Sequence, residues 1–165
     1  MKKYAIVLSI AAVVVFLDQA TKWYIRATLS LYESVPVIDS LFHITYVRNS
    51  GGAFGIFAGA NQALRLPFFL LVSLVAVGVL LLFVRRVRAG QGVLLLALGA
   101  ILGGALGNLI DRMVSGEVTD FLDFHWHGYH WPAFNVADSC ITTGMVVLLL
   151  SSLLLRNPTG SDRQV

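Results

Sequence analysis

Charge is scarce in this 165-residue chain: 13% of its residues are Asp, Glu, Lys or Arg, 57% are hydrophobic, and the mean hydropathy is +0.78. A soluble domain of ordinary composition has about a quarter of its residues charged, so this shortage excludes that class and points to an integral membrane protein. Cysteine is scarcer still. Cys140 is the only one, so no intrachain disulfide can form and the redox compartment is not readable from cysteine usage. Internal repeats, low-complexity stretches and linkers within the body are also missing, and only a short polar tail from Asn157 stands apart.

What is present is a set of long apolar runs. Residues 66–84 carry no charge for 19 positions, about 28 Å as a helix, the thickness of a bilayer core. Residues 93–112 and 136–155 give two more spans and 4–25 a fourth, which contains Asp18 and Lys22. The start, MKKYAIVLSIAAVVVFL, has the charge and apolar length of a signal peptide, but no small-x-small cleavage site follows and the helical pattern continues through Lys22. Four spans place both termini on one side. Lys2, Lys3, Arg85, Arg86, Arg88, Arg156 and Arg163 fall at the N-terminus, in the loop 85–92 and in the tail 156–165, which makes those parts cytoplasmic. The pI near 9.3 thus follows from topology and does not imply nucleic-acid binding.

The outer loops are then 30–65 and 114–134. In the first, residues 41–47 are rich in aromatic and β-branched types and suit a strand, followed by Gly51, Gly52, Gly55 and Gly59, which suit either a peptide cradle or a flexible loop. In the second, Trp126, Tyr129 and Trp131 fit an interfacial belt. His125, His127 and His130 lack a carboxylate or thiolate at a recognisable zinc spacing and are read as surface residues, so no metal site is expected. Gly99, Gly103 and Gly107 fall at four-residue spacing on one face of the third span, which favours close packing inside the bundle over dimerisation.

The polar residues of the spans gather at one depth. Asp18 and Lys22 share a helix face, as do Asn108, Asp111 and Arg112; Asn135 and Asp138 open the last span, and Asp120 follows the third closely. No acid or base interrupts the cytoplasmic half of the apolar runs, which weakens a proton-coupled transporter, the main alternative. If Asp120 and Asp138 converge, repulsion and desolvation make double ionisation costly, and one carboxylate can act as base while the other acts as acid in an aspartyl protease. Asp138 begins a helix, whose dipole favours the carboxylate form, so Asp138 is assigned the base and Asp120 the acid. Arg112, Lys22 and Asn108 could orient the carboxylates or polarise the carbonyl, while Asp18 and Asp111 read as charge neutralisers. Two further rivals are a serine-lysine peptidase pairing Lys22 with Ser139 or Ser50, and a non-enzymatic assembly protein held by the glycine stripe.

Five motifs in order, Asp18-Gln-Ala-Thr-Lys22, Asn49-Ser-Gly51-Gly52-Ala53-Phe54, Gly104-Ala-Leu-Gly107-Asn108-Leu-Ile-Asp111-Arg112, Val118-Thr-Asp120-Phe121 and Phe134-Asn135-Val136-Ala137-Asp138, resemble those of bacterial lipoprotein signal peptidases (signal peptidase II) over nearly the whole chain. Gly52 stands where that family usually has alanine. The resemblance implies an all-α membrane protein, a four-transmembrane-helix bundle with a small extracytoplasmic β-cradle and a second aromatic-rich outer loop. It implies an inner-membrane aspartyl endopeptidase without cofactor or metal, which removes the signal peptide of a diacylglyceryl-modified prolipoprotein by cutting before the lipidated cysteine. Asp120 and Asp138 would be its dyad. Asp18, Lys22, Gly104, Asn108, Arg112 and Asn135 would support the site, Asn49 and Gly51 would line the substrate cradle, membrane lipid would surround it, and the cyclic peptide globomycin would inhibit it.

Overall fold

The computed structural model describes residues 1–51 and 61–155. Gly52, Ala53, Phe54, Gly55, Gly59 and the tail with Arg156, Asp162 and Arg163 lie outside the described residues. Within them, the apolar runs form four helices long and apolar enough to cross a membrane: α1 (Lys2–Thr28), α2 (Gln62–Arg86), α3 (Gly92–Ser115) and α4 (Val136–Leu155). All but α4 run past the limits expected from the sequence, because a count of apolar residues marks only the stretch suited to hydrocarbon. Lys2, Arg26, Arg85 and Arg86 extend the helices at their ends, and the cations of the last turns lie at the negative end of the helix dipole.

α3 is the central element and touches α1, α2 and α4. Its glycines make this possible. A Cβ on Gly99 would meet Ile10 Cβ at 2.7 Å and one on Gly103 would meet Val14 Cβ at 2.6 Å, while Gly104 faces Ala137 O and Ile141. The stripe therefore packs the bundle internally, against α1 on one side and α4 on the other. α1 buries Val7, Ala11, Val14, Asp18, Lys22 and Ile25, a three-to-four spacing that puts them on one face. That face is apolar over its first half and ionic over its second. α2 leaves Leu71, Leu74, Val75, Val79 and Leu82 uncovered by protein, an apolar surface suited to lipid rather than water.

Between the helices lies an antiparallel sheet in the order β1 (Ser34–Ile38), β2 (Phe42–Asn49), β3 (Val118–Trp126), β4 (Tyr129–His130). The strand expected at 41–47 is β2, but half of the sheet comes from the second outer loop, which the sequence presents only as an aromatic-rich connection. The signal was weak, since Asp120, Asp123 and His125 interrupt the run of strand-forming residues. A bulge between Ile44 and Val47 adds a residue to β2, after which Val47 pairs with Asp120 and Asn49 with Val118. The sheet stands at the ionic end of the bundle, its Tyr46 and Phe121 packing with Ile25 of α1.

Candidate functional site

The sequence FNVAD explains its own aspartate. Asn135 caps α4: its Oδ1 accepts the backbone N–H of Asp138 at 3.0 Å, and Asp138 Oδ2 accepts the backbone N–H of Asn135 at 3.3 Å. This reciprocal capping box satisfies two otherwise orphaned donors and holds the Asp138 carboxylate at the positive end of the helix. The Asn135 amide then reaches across to β3, donating to Asp120 Oδ1 at 2.6 Å, with weaker contacts to Asn108 Oδ1 and Thr119 O. One fully buried asparagine therefore sits between the two carboxylates.

The remaining partners of Asp120 and Asp138 are amides as well. Asn49 Nδ2 donates to Asp120 Oδ2 at 2.9 Å, and Asn108 Nδ2 donates to Asp138 Oδ1 at 2.8 Å. No lysine or arginine among the described residues forms an ion pair with either aspartate. Burial and the neighbouring charge of Asp138 push the Asp120 carboxyl up to about 7, against the opposing bonds from Asn49 and Asn135. Near neutral pH Asp120 thus holds its proton for a substantial fraction of the time.

The cations serve a second cluster behind the first. Lys22 is fully buried, with Nζ 2.9 Å from both Asp18 Oδ2 and Asp111 Oδ2 and donating to Asn108 Oδ1 at 2.9 Å. Its three N–H groups are then matched by three acceptors. Ser139 Oγ bonds instead to Asn135 O, so the structure gives no support to a lysine-activated serine. Asp18 Oδ1 accepts the N–H of Ala137 in the first turn of α4, and Asp111 Oδ2 accepts that of Thr119 in β3. The ion cluster thereby fixes the backbone immediately before each dyad candidate. Gly107 is required for this, since a Cβ there would lie 2.5 Å from Asp18 Oδ2.

Arg112 lines the same cavity as Asp120 and Asp138 but makes no direct bond to either carboxylate. It donates to Asn108 O at 3.3 Å and to Gly51 O at 3.4 Å and lies 4.9 Å over the Phe69 ring. Gly51 N in turn donates to Asn49 Oδ1. Arg112 thus ties the end of β2 to α3. Gly104 also acts at a distance, allowing the first turn of α4 to approach α3. Two participants were missed in the sequence. Gln19 Nε2 donates to Asp18, to Gly107 O and to Asp111, and Arg26 lies 3.6 Å from Asp111 and donates to Thr119 Oγ1. Arg26 continues the Asp18 and Lys22 face by one more turn and was legible; Gln19, off that face, gave no signal.

Asn49, Asn108, Arg112, Asp120 and Asp138 line one cavity of about 810 Å³, whose wall continues through Trp131, Phe134 and Ile141. A lining of both polar and apolar side chains suits a ligand that carries both kinds of surface. The profile of the family described as signal peptidase (SPase) II matches residues 10–154. This chain belongs to the signal peptidase II family. A protein of Geobacter sulfurreducens named lipoprotein signal peptidase is 55% identical over 137 residues, covering 83% of this chain and 84% of that one. One of Bacillus subtilis with the same name is 40% identical over 145 residues, covering 88% and 91%. A solved structure described as a bacterial membrane enzyme superposes with a TM-score of 0.84 at 33% identity, covering 96% of this chain and 94% of that one. Membership in signal peptidase II makes the chain a protease. It leaves the transporter reading without support, in keeping with buried charged side chains that, among the described residues, all lie at one end of the bundle.

Proposed function

We propose that the chain removes the signal peptide of a diacylglyceryl-modified prolipoprotein, cutting before the lipidated cysteine, by metal-independent aspartyl chemistry on Asp120 and Asp138. The observation that carries this reading is the pair of carboxylates flanking Asn135, bonded by amides alone and opening on one cavity. In the first step the oxygen of a water bonds to the scissile carbonyl carbon, Asp138 takes a proton from that water, and Asp120 gives its proton to the carbonyl oxygen. On collapse the carbon–nitrogen bond breaks, Asp138 protonates the leaving amine, and Asp120 recovers a proton from the diol. The dyad ends as it began. Amide donors suit this cycle because they stabilise a carboxylate without pinning it permanently in that form, as an adjacent cation would.

Lys2, Lys3, Arg85, Arg86 and Arg88 meet at the opposite end of the bundle, where Lys3 Nζ donates to Arg85 O and Val87 O. By the positive-inside rule that end is cytoplasmic, which puts both termini inside, the protein in the bacterial inner membrane and the dyad at its outer face. There water arrives from outside while the apolar signal helix and acyl chains approach through lipid, and globomycin fits the same cavity as an inhibitor. The test is cleavage of diacylglyceryl-modified prolipoprotein by purified protein in lipid, with a metal chelator present. Wild type is expected to cut, and Asp120→Asn and Asp138→Asn to fold yet lose several orders of magnitude in rate. Near-normal cleavage by either variant would refute the dyad, and dependence on the chelated metal would refute the chemistry.

A further inference from the structure

The outer part of the sheet has two faces of different chemistry. Phe42 pairs with Phe124 and their rings stack at 4.6 Å, with Phe134 stacked beyond at 5.9 Å. On the other face His43 stands opposite Asp123, and His125, two residues along β3, stands opposite His130 of β4. The carboxylate missing from the sequence pattern of histidines is therefore Asp123, and the missing imidazole is His43, brought in from the first outer loop. His127 takes no part, having a positive φ of 50° in the hairpin turn.

We propose that His43, Asp123 and His125 form a binding site for a divalent transition-metal ion of the zinc type, which clamps β2 to β3. One ligand atom from each of the three lies within 4.8 Å of the others, a spacing from which side-chain rotation can close on an ion at about 2.0–2.2 Å. Two imidazoles and a carboxylate suit zinc, with water completing four-fold coordination. A second observation points to a ligand: His125 Nδ1 is buried, and it is the one such side-chain atom among the described residues without a hydrogen-bond partner. A buried nitrogen without a partner is rare, and a cation satisfies it.

The surroundings are those of a supported site. His43 Nδ1 lies 3.2 Å from Ser34 Oγ, which orients the ring and leaves Nε2 for the ion. His130 Nδ1 lies 2.9 and 3.1 Å from the two oxygens of Asp123 and orients that carboxylate. The His125 ring stacks on that of His130 at 4.7 Å and meets that of His43 edge-on at 4.3 Å between centroids. Because side chains alternate along β3, Asp123 and His125 point to the face opposite Asp120. The ion fixes the strand that carries Asp120 and takes no part in peptide hydrolysis, so the site is independent of the dyad chemistry.

The test is titration of tag-free protein in detergent with Zn2+, followed by calorimetry, with Co2+ absorption as a report of imidazole and carboxylate coordination. Wild type is expected to bind one equivalent with Kd of about 10 μM or tighter and to melt at a higher temperature with Zn2+ than with chelator, as binding to the folded state requires. Asp123→Asn and His125→Gln should each weaken binding at least about tenfold, in the range that loss of a metal partner costs. His127→Gln should bind as wild type does, and all three should still cleave prolipoprotein with chelator present, showing that they fold. Absence of binding to wild type at 100-fold above that Kd, unchanged binding by His125→Gln, or equal weakening by His127→Gln would each overturn the proposal.

Discussion

Asp18 and Asp111 share the ionic end of the bundle with Asp120 and Asp138, yet the two pairs have opposite neighbours. The first pair grips one lysine at 2.9 Å on either side, deep between α1 and α3, and is 0% and 2% exposed. The second pair meets only asparagine amides and the backbone, and borders a cavity. The shared lysine and the backbone bonds of Asp18 and Asp111 make the first pair a structural anchor, whereas the second pair is held by amides beside open space. Asn108 joins the two regimes, accepting from Lys22 and donating to Asp138.

Breaking the anchor should have the largest effect on the fold. Lys22→Met leaves two buried carboxylates without their shared cation, and removal of one partner of such a cluster costs about 3–5 kcal/mol. Thermal unfolding in detergent at pH 5 should show that loss, while Asp120→Asn and Asp138→Asn, expected to be inactive in cleavage, should melt close to wild type at that pH. Equal melting of Lys22→Met and wild type would erase the distinction between the pairs. Asn108→Ala, which cuts the link between them, should keep the fold and reduce kcat about 10- to 100-fold, the usual range for a residue that orients a catalytic group from behind. Gly107→Ala pushes a methyl group against Asp18 and should cost about 1–3 kcal/mol, again visible in thermal unfolding.

A further effect is a pH dependence. With its carboxyl raised from 3.8 to about 7, Asp120 keeps a proton in the folded protein that the unfolded chain has already released. The folded state therefore binds more protons between pH 4 and 7, and this group's contribution to stability falls as pH rises through that window and stays low above it. Asp120→Asn has no proton to lose. Its melting temperature relative to wild type should rise from pH 5 to pH 8.5; a difference independent of pH would mean that Asp120 is not the protonated member of the dyad.

Much of this was legible beforehand because membrane burial punishes polar side chains. Asp18, Lys22, Asn108 and Arg112 stood out against apolar runs, and their helical spacing put them on shared faces. The sheet was half legible: β2 has a strand's composition, but β3 carries Asp120, Asp123 and His125, whose polarity hides a strand that pairs with β2 on one side and β4 on the other. Arg112 was only half legible, because spacing along a helix says which face a side chain shares and not which partner its far end reaches. It spans to Gly51 instead of a carboxylate.

The sequence by itself determined that this chain lives in a membrane, that four helices are long and apolar enough to cross it, and that its embedded polar side chains gather at one end, since these follow from composition and period along a single segment. Only the tertiary structure decided which aspartates meet cations and which meet amides. It also set His43 beside Asp123 and His125, residues about 80 positions apart. Such pairings depend on strand register and on how closely α1 and α4 approach the glycines of α3, and these are fixed by contacts between segments that no local pattern records.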